Sequence, residues 1–282
     1  MKIIKYPRQM HAFAEQQKAA NRTIGFVPTM GYLHEGHLSL IESASAQSDV
    51  VIVSIFVNPL QFGPKEDLKR YPRDLGRDKK LLRNFDIAAL FVPTVGQMYP
   101  EKPLTFVEVP DLGQKLCGRT RPGHFRGVAT VVNKFFNIVA PDLAFFGEKD
   151  FQQLTIIKRM VADLNLPVRI VGCPTVREPD GVAMSSRNAY LLKEERAQAV
   201  ALYQTLRLAA AEIRHGIKQV AALKQRLRRF LRGFPKVRLD YLEVVDPVSL
   251  EPKSSLKGES LIAVAAYLGQ TRLIDNCLVG RR

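Results

Sequence analysis

The sequence predicts an α/β protein in which a doubly wound parallel sheet precedes a smaller α+β carboxyl-terminal domain. Strand and helix patterns alternate from residue 23 to residue 172. Residues 49–57 form an almost unbroken apolar run rich in β-branched residues, which is typical of a parallel strand buried on both faces. After Pro174 the alternation stops, and two helical patterns are followed by strand patterns. This order of elements favours a parallel sheet and then a separate, mixed unit.

Short apolar runs predict five strands in the first region, at residues 23–28, 49–57, 87–92, 143–146 and 168–172. Apolar residues at helical spacing predict the intervening helices, at residues 36–47, 74–84, 127–139 and 150–164. Strands joined by helices in this way form right-handed βαβ units. We therefore expect helices on both faces of one parallel sheet.

The second region predicts helices at 194–215 and 218–232, and then strands at 239–245 and 261–267. Asp246-Pro247 and Lys257-Gly258 are turn signals between those strands. We expect two domains, residues 1–174 and 175–282, with a boundary near 172–176. The second domain would carry the M-S-S-R loop at 184–187 as a lid.

The composition is that of an ordinary soluble globular protein, with 46% hydrophobic and 24% charged residues among 282. It excludes disordered, collagen-like and low-complexity architectures. The longest apolar runs are far shorter than the ~20 residues needed to cross a bilayer. Residues 1–7 lack the apolar part of a signal peptide, and Cys117, Cys173 and Cys277 lie too far apart for a disulfide or zinc framework. We expect a cytoplasmic protein without membrane contact.

The charge is the unusual bulk property, because 42 Lys and Arg against 27 Asp and Glu give +15. Such a charge favours polyanionic partners, either nucleic acid or a phosphorylated small molecule. A solvated basic surface explains it equally well. Residues 218–238 hold eight basic residues and no acidic one, while Val220, Leu223 and Leu227 recur at helical spacing. We expect an amphipathic helix with a basic outer face at 218–232, and its partner stays open.

Residues 27–37 read V-P-T-M-G-Y-L-H-E-G-H and connect the first predicted strand to the next helix. Ligands of a doubly wound sheet bind at this end of the strands, and a helix amino terminus offers free N–H groups to phosphate. His34 and His37 could donate hydrogen bonds to phosphate oxygens. A zinc protease is the rival interpretation, but its H-E-x-x-H motif needs histidines four residues apart on one helix face. Two solvent-exposed loop histidines are a further alternative.

Two more loops follow predicted strands. Residues 56–62 (F-V-N-P-L-Q-F) carry Asn58 and Gln61, uncharged amides that suit a small polar substrate. Residues 147–153 (G-E-K-D-F-Q-Q) carry Lys149, a point charge suited to phosphate. Turn and cap chemistry explains each loop equally well in isolation, and no Walker A motif occurs. The shared position at one sheet edge is what favours a binding site.

Two basic runs add candidate phosphate contacts. Residues 184–187 (M-S-S-R) offer two hydroxyls and a guanidinium from a lid. Residues 121–128 (R-P-G-H-F-R-G-V) form a glycine-containing basic loop before a helix. Each run is also an ordinary helix start when it is considered alone.

Six segments, in order, resemble the pantothenate synthetase (pantoate–β-alanine ligase) family over nearly the whole chain. They are residues 27–37, 56–62, 71–74 (Y-P-R-D), 121–128, 146–153 and 184–191 (M-S-S-R-N-A-Y-L). The resemblance implies a Rossmann-like fold of the nucleotidylyltransferase superfamily. The H-I-G-H and K-M-S-K-S signatures of that superfamily correspond here to residues 34–37 and 184–187.

The resemblance implies a ligase that condenses pantoate with β-alanine to pantothenate, a step of coenzyme A biosynthesis. Pantoate would attack the α-phosphorus of MgATP to give pantoyl adenylate and pyrophosphate, and β-alanine would then displace AMP. No motif for an acyl nucleophile occurs, so activation by adenylation needs positioning and charge stabilisation rather than a covalent enzyme intermediate. The resemblance also implies a homodimer formed through the amino-terminal domain.

The resemblance assigns roles to individual residues. His37 is implied as a proton donor, but adenylation does not require a proton from it, so we expect His37 and His34 to stabilise phosphate as the catalytic residues. Gln61 is implied to bind pantoate and β-alanine, and Gln153 to bind pantoate. Asp78 is the expected Mg²⁺ ligand, although the surrounding G-R-D-K is less acidic than the family pattern. The implied ATP-binding residues are Met30, Gly31, Tyr32, Leu33, His34, Glu35, Gly36, His37, Gly147, Glu148, Lys149, Asp150, Val176, Met184, Ser185, Ser186 and Arg187.

Two other functions compete with the ligase. Another adenylyl- or cytidylyltransferase would explain the histidine loop and M-S-S-R, but not N-P-L-Q-F together with F-G-E-K-D-F-Q-Q. An RNA-binding module would explain the basic helix, but only Phe230 and Phe234 lie near its basic residues and no RNA-binding signature occurs. We expect the small molecules pantoate, β-alanine and ATP as partners, and no nucleic acid.

Overall fold

The computed structural model describes residues 1–64 and 66–280, and its strands form two sheets. The strands are β1 (Lys2–Ile4), β2 (Ile24–Thr29), β3 (Val50–Ile55), β4 (Ala89–Phe91), β5 (Leu143–Gly147), β6 (Arg169–Cys173), β7 (Val237–Val245), β8 (Ser260–Leu268) and β9 (Thr271–Val279). The first sheet is parallel, with the order β1-β4-β3-β2-β5-β6, and the second is antiparallel, with the order β7-β8-β9. The predicted fold class is confirmed.

The helices lie between and after the strands of the first sheet. They are α1 (Pro7–Ala19), α2 (Glu35–Ser45), α3 (Leu75–Leu82), α4 (Val95–Met98), α5 (Pro110–Gly113), α6 (Cys117–Thr120), α7 (His124–Val139), α8 (Phe151–Asp163), α9 (Lys193–Gln198), α10 (Val200–Arg214) and α11 (Val220–Leu231). Short 3₁₀ turns occur at Pro59–Gln61, Asp67–Lys69, Glu148–Asp150 and Ser186–Tyr190.

Both faces of the parallel sheet are buried, as the run at 49–57 predicts. Phe26 and Ile52 belong to the core cluster that includes α1 and α7 residues. Their neighbours in sequence, Val27 and Val53, belong to a second cluster with α2 residues. Adjacent residues of a strand point to opposite faces, so one continuous apolar strand supports two helical layers.

Three sequence predictions need correction. The single helix at 194–215 is two helices, α9 and α10, separated at Ala199. The elements β1 and α1 were missed, because a three-residue strand and a polar helix carry little apolar periodicity. The strand β9 was also missed, because Asp275 and Asn276 interrupt its apolar pattern.

The predicted amphipathic helix is confirmed as α11, which buries Val220, Leu223, Leu227 and Leu231 against the second sheet. The proposed division at 174/175 stays a prediction. Within the described part of the chain, no helix is both long and apolar enough to span a membrane.

Candidate functional site

The candidate site is a cavity of about 220 Å³ at the edge of the first sheet. Residues that follow β2, β3 and β5 line it, together with residues 174–176 and 184–187, which come after β6. The strands of this sheet are parallel, so the loops at their carboxyl ends meet at one edge.

Most of the predicted site residues meet at this cavity, although they come from separate segments of the chain. The predicted residues in its lining are Met30, His34, Gly36, His37, Gln61, Gly147, Lys149, Asp150, Gln153, Val176, Met184, Ser185, Ser186 and Arg187.

The other predicted residues lie outside the lining of the cavity. Leu33 is fully buried in the core beneath α2, and Glu35 is exposed. Gly31 and Tyr32 form the turn that precedes Leu33, and Glu148 begins the 3₁₀ turn after β5. The part that these residues would play in nucleotide binding stays a prediction.

The histidine loop makes a tight left-handed turn between β2 and α2. Gly31 has φ +81°, and Tyr32, which is not a glycine, has φ +52°. A Cβ on Gly31 would lie 2.9 Å from the Cγ2 of Ile55, so the turn leaves no room for a side chain. A Cβ on Gly36 would lie 3.0 Å from the ring of His34. Both glycines are therefore required by the packing of the loop.

His34 and His37 form a stacked, neutral pair. His34 precedes α2 and His37 lies in its first turn, with their ring centroids 4.1 Å apart. Burial, helped by the charge of Lys149, lowers the pKa of His34 to about 4. Burial, followed by His34 and Lys149, holds the pKa of His37 well below its usual value. Both rings are neutral at physiological pH.

A weak backbone contact indicates which nitrogen of His37 carries the proton. The N–H of His34 lies 3.4 Å from the Nδ1 of His37, and a backbone N–H can only donate. A neutral imidazole that accepts at Nδ1 carries its proton at Nε2. His37 can therefore offer an Nε2–H donor to an anion. The Nδ1 of His34 is buried without a protein partner among the described residues.

Asp78 stabilises the left-handed turn of the histidine loop through the backbone of that turn. Its Oδ2 accepts the N–H of Tyr32 and its Oδ1 accepts the N–H of Leu33, both at 2.8 Å. The guanidinium of Arg77 lies over the ring of Tyr32, 5.1 Å from its centroid. Burial raises the pKa of Asp78, although the two N–H donors oppose that shift. The first turn of α3 thus fixes the backbone that leads to His34.

Asp78 does not fit the predicted role of Mg²⁺ ligand. Only 1% of the residue is exposed, and the two backbone N–H groups occupy both of its oxygens. No group of three or more His, Cys, Asp or Glu in the described residues could hold a metal. Because Mg²⁺ is usually bound through one or two carboxylates and substrate phosphates, it would enter this site with a phosphorylated substrate.

Gln61 is held in a network of neutral groups. Its Nε2 lies 3.1 Å from the Sδ of Met30, and its Oε1 accepts from the Nδ2 of Asn58 at 3.2 Å. The second hydrogen bond of Asn58 Nδ2 goes to the carbonyl of Gly127, and the hydroxyl of Tyr99 donates to Asn58 Oδ1. The cavity around Gln61 and Asn58 is lined by amide and apolar side chains. Neither residue carries a formal charge, as the sequence predicts.

A buried polar triad braces the same loop from α7. Arg121 donates to both oxygens of Glu66, at 2.8 and 2.6 Å, and its Nη1 lies 2.9 Å from the Nε2 of His124. An arginine can only donate, so Nε2 accepts and Nδ1–H donates to the carbonyl of Gln61 at 2.8 Å. Burial lowers the pKa of His124 to about 4, with a contribution from Arg121. His124 is therefore a neutral link.

Lys149 brings a positive charge to the lining of the cavity. It lies in the 3₁₀ turn Glu148–Asp150 between β5 and α8, and 18% of its side chain is exposed. Its Nζ is 3.7 Å from Asp150, which is too long for a tight ion pair. Gln153 follows one turn later and also lines the cavity. Its neighbour Gln152 is turned away and bonds the backbone of Leu112, Lys115 and Cys117.

The M-S-S-R segment is attached to the first sheet's loops. The hydroxyl of Ser186 donates to the carbonyl of Tyr32 at 3.2 Å. Arg187 forms a two-point ion pair with Asp67 and lies over the ring of Tyr71. Burial raises the pKa of Asp67, but the hydrogen bond and charge of Arg187 outweigh it and leave the pKa below its usual value. The M-S-S-R segment thus contacts the histidine loop through Ser186 and the 3₁₀ turn Asp67–Lys69 through Arg187.

A larger cleft of about 660 Å³ adjoins the cavity and lies between the two sheets. Its walls include Gln152 from α8 and Tyr241, Tyr267 and Arg272 from the second sheet. Seven residues line both the cleft and the cavity, namely Arg121, His124, Lys149, Asp150, Gln153, Ser185 and Arg187. The cleft therefore leads directly to the candidate site.

Sequence reasoning missed several residues of the site. Tyr71 lies in the quoted Y-P-R-D segment and lines the cavity, but a tyrosine before a proline gives no signal of its own. Arg121 and His124 lie in a basic loop to which the sequence assigned no specific role. Asp67 gave no signal at all, because its only distinguishing feature is a partner far along the chain.

The site combines two kinds of chemical group. The neutral amides of Gln61 and Gln153 suit hydroxyl and carboxylate groups. Lys149, Arg187 and the neutral imidazoles of His34 and His37 offer donors to phosphate. Fixed donors of this kind stabilise charge that develops on phosphate oxygens. The arrangement suits the joining of a small polar acid to a phosphorylated substrate.

Comparisons with known proteins cover the whole chain. The family model described as Pantoate-beta-alanine ligase matches residues 2–278. A curated relative named pantothenate synthetase, from Thermotoga neapolitana, is 53% identical over 280 residues, covering 99% of this chain and 100% of its own. The crystal structure of pantothenate synthetase from Thermus thermophilus is 46% identical and superposes with a TM-score of 0.93, covering 98% of this chain and 99% of that one.

A further solved structure carries ligands. It is pantoate-beta-alanine ligase from Francisella tularensis complexed with beta-gamma ATP and beta-alanine. That protein is 36% identical and has a TM-score of 0.82, with 99% of this chain and 97% of that chain covered.

Proposed function

Because the chain belongs to the pantoate–β-alanine ligase family and is a ligase, we propose that it joins pantoate to β-alanine at the expense of ATP. The products would be pantothenate, AMP and pyrophosphate, and the reaction would pass through pantoyl adenylate. The observation that carries this proposal is the single cavity of about 220 Å³ whose lining includes both the amides of Gln61 and Gln153 and the phosphate donors His34, His37 and Lys149. The related ligase that binds beta-gamma ATP and beta-alanine supports ATP and β-alanine as substrates.

In the first step a carboxylate oxygen of pantoate attacks the α-phosphorus of ATP. The bond from that phosphorus to the bridging oxygen breaks, and pyrophosphate leaves with its electron pair. Gln61 and Gln153 orient pantoate, since amides can donate to its carboxylate and accept from its hydroxyls. His34, His37 and Lys149 stabilise the negative charge that develops on the phosphate oxygens. No side chain changes its protonation state in this step.

In the second step the amine of β-alanine attacks the acyl carbon of the adenylate. The bond from that carbon to the phosphate oxygen breaks, AMP leaves with the electron pair, and the phosphate of AMP accepts the proton that the nitrogen gives up. We assign to Gln61 the binding of both pantoate and β-alanine. The lid loop, attached through Ser186 and Arg187, excludes water that would otherwise hydrolyse the mixed anhydride.

The remaining ATP contacts follow the family correspondence. We assign residues 30–37, 147–150, 176 and 184–187 to the nucleotide. Mg²⁺ would accompany ATP and neutralise its phosphates. We also propose a cytoplasmic homodimer that has no nucleic-acid partner, and the basic face of α11 is then a solvated surface.

A substrate-omission assay tests this function. The purified protein is incubated with ATP, pantoate and β-alanine, and then with each substrate left out in turn. We expect AMP and pyrophosphate with all three, and a single turnover of pyrophosphate release when β-alanine is absent. Stoichiometric ADP and phosphate would exclude the adenylate route.

Two controls address the proposed partners. Light scattering at micromolar concentration should give twice the mass of the chain, and a monomer would contradict the dimer. Filter binding of RNA should give at most weak retention. Tight binding that is lost steeply with added salt would favour the nucleic-acid function instead.

A further inference from the structure

Asn276 links the second sheet to the loop that carries Lys149. Its Nδ2 donates to the carbonyl of Glu148 at 3.0 Å and to the carbonyl of Lys149 at 2.8 Å. A side-chain amide nitrogen has two hydrogens, so both donors are used on this one turn. The contact spans the boundary between the two sheets, because Asn276 lies in β9 and the turn follows β5.

The backbone of Asn276 is held in place by the buried carboxylate of Asp275, which is paired with Arg177. The backbone N–H of Asn276 donates to the Oδ1 of Asp275 at 2.8 Å. Asp275 is 3% exposed and accepts two hydrogen bonds from Arg177, at 2.7 and 3.0 Å. The strand β9 also pairs with β8 along its whole length. Asn276 is thus a donor in a rigid position.

The turn that Asn276 grips determines where Lys149 lies. A lysine side chain is a flexible stem with high rotamer entropy, so only its backbone can fix its starting point. Lys149 is mostly buried between the cavity and the cleft. It lies near enough to His34 and His37 for its charge to contribute to the lowered pKa of both rings.

We propose that Asn276 is a positioning residue for Lys149, so that the second domain shapes the phosphate-binding part of the site. This inference rests on the proposed function, in which Lys149 contacts ATP. The grip acts on the turn, whereas the two residues that bind pantoate in that function are held elsewhere. Gln61 is held by Asn58 and by the His124 link, and Gln153 lies in α8, whose Leu154 and Ile157 pack in the core.

Two substitutions separate this role from general contact between domains. Asn276→Ala removes both donors, and Asn276→Asp sets carboxylate oxygens against two carbonyl oxygens. The matched control is Asn137→Ala, which removes an exposed amide that bonds only the carbonyl of Asn133 in its own helix, α7. All variants are compared as full-length protein.

Single-turnover adenylation is the first measurement. We expect Asn276→Ala to lower the rate about tenfold and Asn276→Asp to lower it further, because a neutral hydrogen-bond pair is worth about this much. The KM for ATP should rise while the affinity for pantoate is unchanged, and Asn137→Ala should match the wild type. Equal losses for ATP and pantoate would show a displaced domain and would overturn the positioning role.

The second measurement does not depend on activity. The ring nitrogens of His34 are titrated by NMR in the free protein, with His34→Gln used for assignment. If Lys149 moves away in Asn276→Ala, the pKa of His34 rises from about 4 toward 6.5. An unchanged pKa would contradict the proposal even if the variant were slow. Wild-type protein that forms no adenylate would refute the proposed function, while the titration would still decide the role of Asn276.

Discussion

The guanidinium of Arg187 lies against the carboxylate of Asp67, with Nε 2.9 Å from Oδ2 and Nη2 3.0 Å from Oδ1. Arg187 follows the M-S-S residues of the lid loop, and Asp67 belongs to the 3₁₀ turn Asp67–Lys69 between β3 and α3. A two-point, charge-assisted contact of this kind is both strong and directional. One guanidinium therefore fastens the lid and sets a positive charge at the rim of the cavity.

The first prediction separates these two roles of Arg187. Arg187→Ala should slow adenylation by about 10- to 100-fold, the size expected for a lost hydrogen bond to a charged group. Pantoate affinity should change little, because Gln61 and Gln153 are untouched. Asp67→Asn is the matched control, since it weakens the ion pair and keeps the guanidinium. We expect both variants to melt at similarly lowered temperatures, with a much smaller loss of adenylation in Asp67→Asn.

Pre-steady-state adenylate formation is measured beside the melting temperature. If both variants lose adenylation equally, Arg187 only fastens the lid. If Arg187→Ala melts lower but adenylates normally, the residue has no part in chemistry.

The second prediction concerns the histidine pair. His34→Ala or His37→Ala should slow adenylation by about 10²–10³-fold, by analogy with other preorganised donors at developing charge. His37 lies in the first turn of α2, within the helix that the sequence predicts at residues 36–47. Folding should still be intact, because the 3.4 Å contact between the two residues is a weak cap. Single-turnover rates close to the wild type in both variants would remove the assignment.

The third prediction is a pH dependence of stability. His34 and His124 have a pKa of about 4 in the native protein and about 6.5 when unfolded. Between those values the unfolded chain binds protons that the native state does not. The free energy of unfolding should therefore rise with pH in this window, by up to ~1.4 kcal/mol per pH unit for each histidine, and level off above pH 6.5.

Urea titrations from pH 4 to pH 8 test this sign. His34→Gln keeps a neutral polar side chain. It should lower the slope of the free energy of unfolding against pH by the contribution of one titrating histidine. A slope that is unchanged in His34→Gln would mean that this ring is charged in the native state.

The fourth prediction concerns Asp78. Asp78→Asn leaves one of the N–H groups of Tyr32 and Leu33 without its acceptor, which costs about 1–3 kcal/mol for a buried donor. Both amides should exchange faster with deuterium, and adenylation should slow. The Mg²⁺ concentration that gives half-maximal activity should not move. A large rise in that concentration, with unchanged exchange, would make Asp78 a metal ligand instead.

The parallel sheet and the edge at which the site lies both follow from local patterns in the sequence. Apolar periodicity is a local property of the chain, so β2, β3 and β5 could be predicted with only small errors at their ends. Once the strands are parallel, their carboxyl ends meet at one edge, and the loops bearing His34, Gln61 and Lys149 must meet there. The motifs then carried the family resemblance.

The hydrogen-bond partners that hold those residues in place could be seen only in the tertiary structure. Arg187 and Asp67 are 120 positions apart, and Asn276 lies 127 positions from Lys149. Asp78 was predicted to bind a metal, yet it faces two backbone N–H groups 45 and 46 positions away. The direction in which a side chain points across such separations depends on how whole elements pack. No local pattern of residues encodes that packing, because each partner has its hydrogen-bonding capacity in any fold and acquires its particular partner only when the core brings the two together.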